Sequence, residues 1–276
     1  GIFCLYHQYY RNNESLMFET LGITAAEFEH FLLIMMRITG LVTTLPIFSS
    51  RTIPLHVKMV FSLALAFICS SILPVPDSLP ADVMILGFLA IKEMTVGLII
   101  GLVTQFIFEG LKLAGFMIGR MMSLSMMTLI NPATDETTPV LSNLMYFVAI
   151  LLLLSTNGHH FFIQTIFDSF YFVPLTEMSF SSTLLIKLTE MFSSVFVIGL
   201  KLGAPIFAAL FLERVLLGLF AKVTPEIQIL IVAMPIAILL GFWFLMFYWP
   251  YFIYAFLKLF GIYRDEIMHF IRLLGQ

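Results

Sequence analysis

Apolar residues gather in six long runs, Phe28–Phe48, Val57–Leu73, Val83–Gly115, Pro139–Ile163, Leu184–Val223 and Ile227–Gly261, with polar residues mostly confined to the segments between them. Runs near twenty residues suit helices that cross a bilayer, and the lack of alternating polarity excludes the strands of an outer-membrane barrel. The pattern predicts an all-α, polytopic membrane-system fold of about six long helices. Two runs overshoot a single crossing. Val83–Gly115 would extend about 50 Å as a helix against roughly 30 Å of hydrocarbon, and Leu184–Val223 is longer still. Such helices tilt, break or project beyond the lipid. Gly97, Gly101, Gly203 and Pro205 are the expected bending points, since Gly lacks a Cβ and Pro lacks a backbone donor.

The polar segments between the runs suggest an orientation. Arg51 and Lys58 lie in 49–58, Lys112 and Arg120 in 112–138, and Arg214 and Lys222 in 213–223. The alternate segments 74–82 and 164–183 carry Asp77, Asp82, Asp168 and Glu177 and no Lys or Arg. Basic segments stay cytoplasmic, so the first group is expected inside, and an even number of crossings puts both termini outside. Residues 1–27 read as a peripheral N-terminal extension, in which Gly1–Leu16 lacks the basic-then-apolar layout of a signal peptide. Residues 262–276 read as an amphipathic tail, with Ile267, Phe270, Ile271 and Leu274 on one stripe.

Composition narrows the function. The chain is 60% hydrophobic and 11% charged, more apolar surface than one soluble core can hide. Its net charge of −3 offers no basic face for phosphates, so no nucleic-acid partner is expected. Cys4 and Cys69 make no disulfide framework and no zinc ligand set. His159 and His160 are adjacent, diverge on a helix and lack HExxH spacing. Ser123, Ser125 and Ser142 lack a GxSxG elbow, and no Gly-rich phosphate loop is present. Neither catalysis nor any cofactor or metal is implied.

Three features remain. Charges within the runs, Arg37, Lys92, Glu93, Glu109, Lys112, Lys187, Glu190 and Lys201, must face protein or a wet cavity. Glycine pairs at GxxxG spacing, Gly97 with Gly101, Gly115 with Gly119 and Gly199 with Gly203, let helix backbones approach closely and point to a tightly packed hetero-oligomer. Five of the 17 methionines, Met117, Met121, Met122, Met126 and Met127, fall between Phe116 and Met127. Unbranched, polarizable thioethers can close around a variable object and re-pack, as a deformable seal requires. Ordinary core filler is the alternative reading of the same residues.

The ordered set of Arg37, Pro46-Ile47-Phe48, Arg51, Ile53-Pro54, Val57-Lys58, Asn131-Pro132-Ala133, Pro139-Val140-Leu141, Asn157-Gly158-His159, Pro225, Pro235 and Gly241 resembles the FliR/SctT family of type III export-gate proteins. The resemblance runs from about Met17 to Gly261. It implies one R-type (T-type) chain in a helical, cone-shaped inner-membrane gate, together with several copies each of P-type and Q-type subunits. Residues 28–180 would be a P-type-like portion and 181–261 a Q-type-like hairpin. The family's pore plug would map onto 115–138, with Gly115, Met117, Gly119, Arg120, Met121, Met122, Met126 and Met127 as plug or gasket. Gly97, Gly101, Gly199 and Gly203 would pack helices. Arg51, Lys58 and Lys222 would face the cytoplasmic export switch protein and the large cytosolic export-ring protein. Unfolded secreted proteins would be the substrates, lipid would surround part of the assembly, and part would stand above the lipid plane. The chain departs from the family in Asn131, where an acidic residue is common, in Ala237, where a basic one is, and in the charge of Arg120. The flagellar branch is favoured over the virulence branch. The competing reading is a stand-alone secondary transporter using Arg37, Lys92, Glu93 and Glu190, although no internal repeat supports it.

Overall fold

A computed structural model describes residues 24–48, 53–75, 82–124, 140–178, 181–223 and 229–275. These residues form seven helices and no strand: α1 (Ala25–Thr44), α2 (Leu55–Ile72), α3 (Val83–Met121), α4 (Val140–Ser155), α5 (His159–Phe172), α6 (Ser182–Val223) and α7 (Ile229–Leu274). Arg51, Met126, Met127, Asn131, Pro132 and Pro225 lie outside the described residues, as does the extension up to residue 23.

Local sequence accounts for the ends. Thr24 and Glu27 form a reciprocal capping box at α1: the Thr24 amide donates to Glu27 Oε2 at 2.7 Å and the Glu27 amide to Thr24 Oγ1 at 3.3 Å. Pro54 caps α2, where a missing N–H costs nothing. α4 ends in a left-handed residue, Asn157 at φ 57°, with Gly158 N–H donating to Leu153 O at 2.7 Å and Asn157 N–H to Leu154 O at 3.1 Å. The chain then turns by 78° into α5.

That turn splits the run expected over Pro139–Ile163 into two helices. His160 Nδ1 lies 3.3 Å from Asn157 O, so the imidazole helps close the break. Four helices, α2, α3, α6 and α7, are long and apolar enough to cross a membrane, and five spans result if α4 and α5 count as one bent span. α1 carries Glu27, Glu29 and Arg37 and is not among these candidates, which are counted by length and composition alone.

Other expectations change as well. α3, α6 and α7 each run as one continuous helix of 39, 42 and 46 residues, or roughly 58, 63 and 69 Å. Lys112, Arg120, Arg214 and Lys222 sit on helices rather than in loops. The segment 262–274 continues α7, and its stripe of Ile267, Phe270, Ile271 and Leu274 is buried by the chain itself.

The chain forms two compact units. The first comprises residues up to Leu102, Gln164–Ser181 and Ile271–Gln276; the second comprises Val103–Ile163 and Ser182–Phe270. One boundary between them falls at Ser181–Ser182, and α3, α5 and α7 each contribute to both units. In the first unit, α1 crosses α3 backbone to backbone. A Cβ on Gly97 would collide with Arg37 O, one on Gly101 with Thr44 Oγ1, and one on Gly40 with Met94 O. In the second, Gly110 and Gly199 bring α3 against α6. A Cβ at Gly110 would lie 2.8 Å from Ile198 and one at Gly199 2.9 Å from Leu113. Phe108 meets Tyr146 and Phe256 edge-on in the same core.

Candidate functional site

The methionine-rich segment begins as the last turns of α3. Gly115 sits against α4, where a Cβ would lie 2.7 Å from Ser142 Cα, while Gly119 has ordinary room beside Leu141 at 3.5 Å. The helix stops at Ser123, whose φ of 61° is left-handed. Leu124 N–H donates to Gly119 O and Ser123 N–H to Arg120 O, both at 3.1 Å, which satisfies carbonyls that a helix end otherwise leaves open. Arg214 on α6 fastens this end: its Nη2 donates to Met121 O and to Ser123 Oγ, each at 2.8 Å.

This anchoring divides the side chains into two faces. Ile118 and Met122 are fully buried, and Met122 packs on α7, where a Cβ at Gly241 would meet its sulfur at 2.7 Å. On the other face Phe116 and Arg120 are exposed and Met117 and Met121 half-buried, at positions one turn apart. The Arg120 guanidinium lies 5.4 Å from the Phe116 ring centroid, which keeps the charge against an aromatic face. The expected loop is therefore helical through Met121, and Met122 belongs to the core. Arg214 had no sequence signal as a clasp, since its partners lie 91 and 93 positions away. Arg214→Ala is expected to remove about 0.5–1.5 kcal/mol of local stability, so amides 122–124 should exchange hydrogen roughly 2- to 12-fold faster. Unchanged exchange there would mean the clasp does not hold.

Of the remaining predicted residues, Gly97 and Gly101 pack within the first unit and Gly199 and Gly203 within the second, Gly203 loosely at 3.8 Å from Ala114. Lys58 is half-buried and Lys222 exposed. Glu109 is paired with Lys112 at 2.7 Å and receives the Gln105 amide at 2.9 Å; Lys112 also faces the Tyr146 ring. Lys187 reaches Glu190 at 3.4 Å and Glu266 at 3.3 Å.

The first unit holds a polar network around a fully buried Arg37–Glu93 pair. Arg37 Nε donates to Glu93 Oε2 at 2.5 Å, and its Nη1 donates to Ser169 O at 3.0 Å and Val173 O at 2.7 Å. The guanidinium also stands over Phe170 at 4.6 Å. Glu93 Oε1 accepts from the amide of Thr176, a left-handed residue at φ 73°, and Lys92 Nζ donates to Thr176 O, both at 2.7 Å. Arg37, Lys92 and Glu93 thus fasten the C-terminal end of α5 to α1 and α3. They are engaged with one another and with backbone, and Glu190, the fourth residue of the transporter reading, belongs to the other unit. Among the described residues no group of three or more His, Cys, Asp or Glu is placed to hold a metal ion.

Residues 28–262 match the model of the family described as bacterial export proteins, family 1. The chain is similar to the flagellar biosynthetic protein FliR of Escherichia coli K12, 31% identical over 207 residues that cover 75% of this chain and 79% of that protein. It is 31% identical to FliR of Bacillus subtilis 168 over 218 residues, 78% of this chain and 84% of that one. The Yop proteins translocation protein T of Yersinia pestis is 28% identical over 157 residues, 56% of this chain and 60% of that protein.

Proposed function

The chain belongs to the bacterial export proteins, family 1, and from that premise we propose how it serves as the sealing subunit of a type III export gate. Members of the family are structural components of the flagellar and virulence export apparatus and work in a membrane complex with other export components. In this reading the chain enters the gate as a single R-type copy among several P-type and Q-type subunits. Its cytoplasmic contacts are the export switch protein and the large cytosolic export-ring protein, reached through Arg51, Lys58 and Lys222. It lines and closes the conduit for unfolded substrates and performs no catalysis. The flagellar branch is favoured by the longer, more identical matches to FliR.

The observation that carries the sealing role is the two-faced end of α3. One face is locked by Gly115, Met122 and the Arg214 clasp, while Met117 and Met121 stay half-exposed beside Phe116 and Arg120. A rigid base with adaptable thioethers on its free side is what a gasket around a moving polypeptide needs. Helices near 60–70 Å fit a gate that stands partly above the lipid. Nothing among the described residues favours a stand-alone transporter.

Native mass spectrometry of the complex released in mild detergent tests the assembly. One copy of this chain with several copies of two smaller helical subunits is expected, and a lone chain or symmetric dimer would refute it. Converting Met117, Met121 and Met126 together to Ala should let ions leak through resting vesicles that hold the assembled gate. Normal impermeability with normal assembly would remove the gasket role.

A further inference from the structure

Between Glu190 and Glu213, α6 runs for 22 residues with a single charge, Lys201, at their middle. As a helix this stretch extends about 33 Å, close to the roughly 30 Å of a hydrocarbon layer. Its centre lies too deep for a four-carbon stem to carry the ammonium to either interface. Lys201 is exposed and, among the described residues, has no hydrogen-bond or ion-pair partner. The other charges singled out within the apolar runs are all engaged: Arg37 with Glu93, Lys92 with Thr176 O, Glu109 with Lys112, and Lys187 with Glu190. A bare ammonium at this depth is costly against lipid, so a group that neutralises it is missing.

The surface around Lys201 tells water from protein. Val197, Leu200 and Leu212 are exposed and apolar, and Ala204 and Ala208 are exposed and small. Ser193, two turns back on the same face, spends its hydroxyl on Glu190 O at 2.8 Å. A face with one charge and otherwise apolar contacts suits a packed helix better than a wet wall. Small residues one and two turns beyond the lysine let a second backbone come close. A second copy of this chain is a poor source of the counter-charge. On α2, α3, α6 and α7 its carboxylates are Glu93 and Glu109, already engaged, Glu190 and Glu213 at the two ends of this stretch, and Asp265 and Glu266 near the end of α7. A phospholipid headgroup stays at the interface and does not reach mid-span.

We propose that Lys201 docks a membrane-embedded helix of another export-gate subunit, through an Asp or Glu that the helix carries at mid-span. The inference rests on the reading of the chain as one subunit of a gate, and goes beyond it in assigning the face and the charge that meets it.

Charge reversal in the intact complex tests it. Lys201 is exposed, so Lys201→Glu removes no contact within this chain; it should lower co-purification of another subunit at least about tenfold, while Lys201→Arg keeps it. Changing one mid-span Asp or Glu of that subunit to Lys should restore co-purification with the Lys201→Glu chain. With p-benzoylphenylalanine in place of Val197, one turn away, the crosslinked peptide should come from that subunit and carry the same acid. Crosslinks confined to this chain, including its residues 125–139, or to lipid, or to a peptide without Asp or Glu, would overturn the docking site and leave the gate reading intact. So would co-purification indifferent to Lys201→Glu, or a loss that no acid-to-lysine change reverses. A Lys201→Cys thiol that reacts with a membrane-impermeant maleimide in the intact complex would place the residue in water and overturn it too. A wild-type chain that purifies alone would remove the gate reading and this inference together.

Discussion

An Arg37→Leu chain should lose roughly 3–5 kcal/mol of stability, the cost of leaving a buried carboxylate without its cation. Arg37 and Glu93 are both fully buried, so solvent cannot take over either charge. The loss extends beyond the ion pair. The carbonyls of Ser169 and Val173 at the end of α5 would lose the donor that Nη1 provides, and Phe170 would lose the cation on its face. Arg37→Lys should recover little, because a single ammonium cannot span a carboxylate and two carbonyls as the planar fork does. The double variant Arg37→Leu with Glu93→Leu should be more stable than Arg37→Leu alone, since removing both charges removes the orphan. Unfolding midpoints in detergent across this double-mutant cycle provide the measurement. A single Arg37→Leu variant within about 1 kcal/mol of the parent would show that the network is not structural.

The second large effect is expected at Gly97. Even Ala there puts a methyl group into the Arg37 carbonyl, with the Leu41 amide nitrogen 2.8 Å away, so α1 and α3 must separate along their length. Overpacking against backbone has no side chain to bend aside, and about 1–3 kcal/mol is expected for Gly97→Ala, more for Gly97→Leu. The same separation would pull Arg37 from Glu93, since both residues belong to this crossing. Gly203→Ala is the contrast. Its nearest neighbours are 3.8 Å away, and removing a flexible residue from the middle of a helix should leave stability unchanged or raise it by about 0.5–1 kcal/mol. Equal thermal midpoints for Gly97→Ala and Gly203→Ala would contradict the backbone contact.

Much of the architecture was legible because hydropathy and helix spacing are local. The apolar runs gave an all-helical membrane chain, whereas the start of α1 at Ala25, fixed by the Thr24–Glu27 capping box, lay within the stretch read as an extension. Two features misled. The run across 139–163 stayed apolar through a 78° turn, because Asn157 and Gly158 break the helix without breaking its hydropathy. Lys112 and Arg120 looked like loop charges, yet Lys112 is neutralised by Glu109 one turn away and Arg120 rests on Phe116, so α3 carries both. At the candidate site, the methionine cluster could be read from composition. The division into a buried Met122 and half-exposed Met117 and Met121 could not, since it depends on Gly241 and Arg214, about one hundred residues further along the chain. The same holds for the network around Arg37. Three charges were visible in the apolar runs, but their backbone acceptors on and after α5 have no sequence signature of their own.

That separation matters while the polypeptide is being made. The Arg37 guanidinium waits 56 positions for Glu93 and 136 for the carbonyl of Val173. At a ribosomal pace of roughly 5–20 residues per second, the last partner arrives about 7–27 s after the arginine. Until Glu93 follows, about 3–11 s after the arginine at that pace, the nascent α1 carries a cation with no carboxylate to neutralise it in lipid, and the carbonyls that complete its fork arrive only with α5.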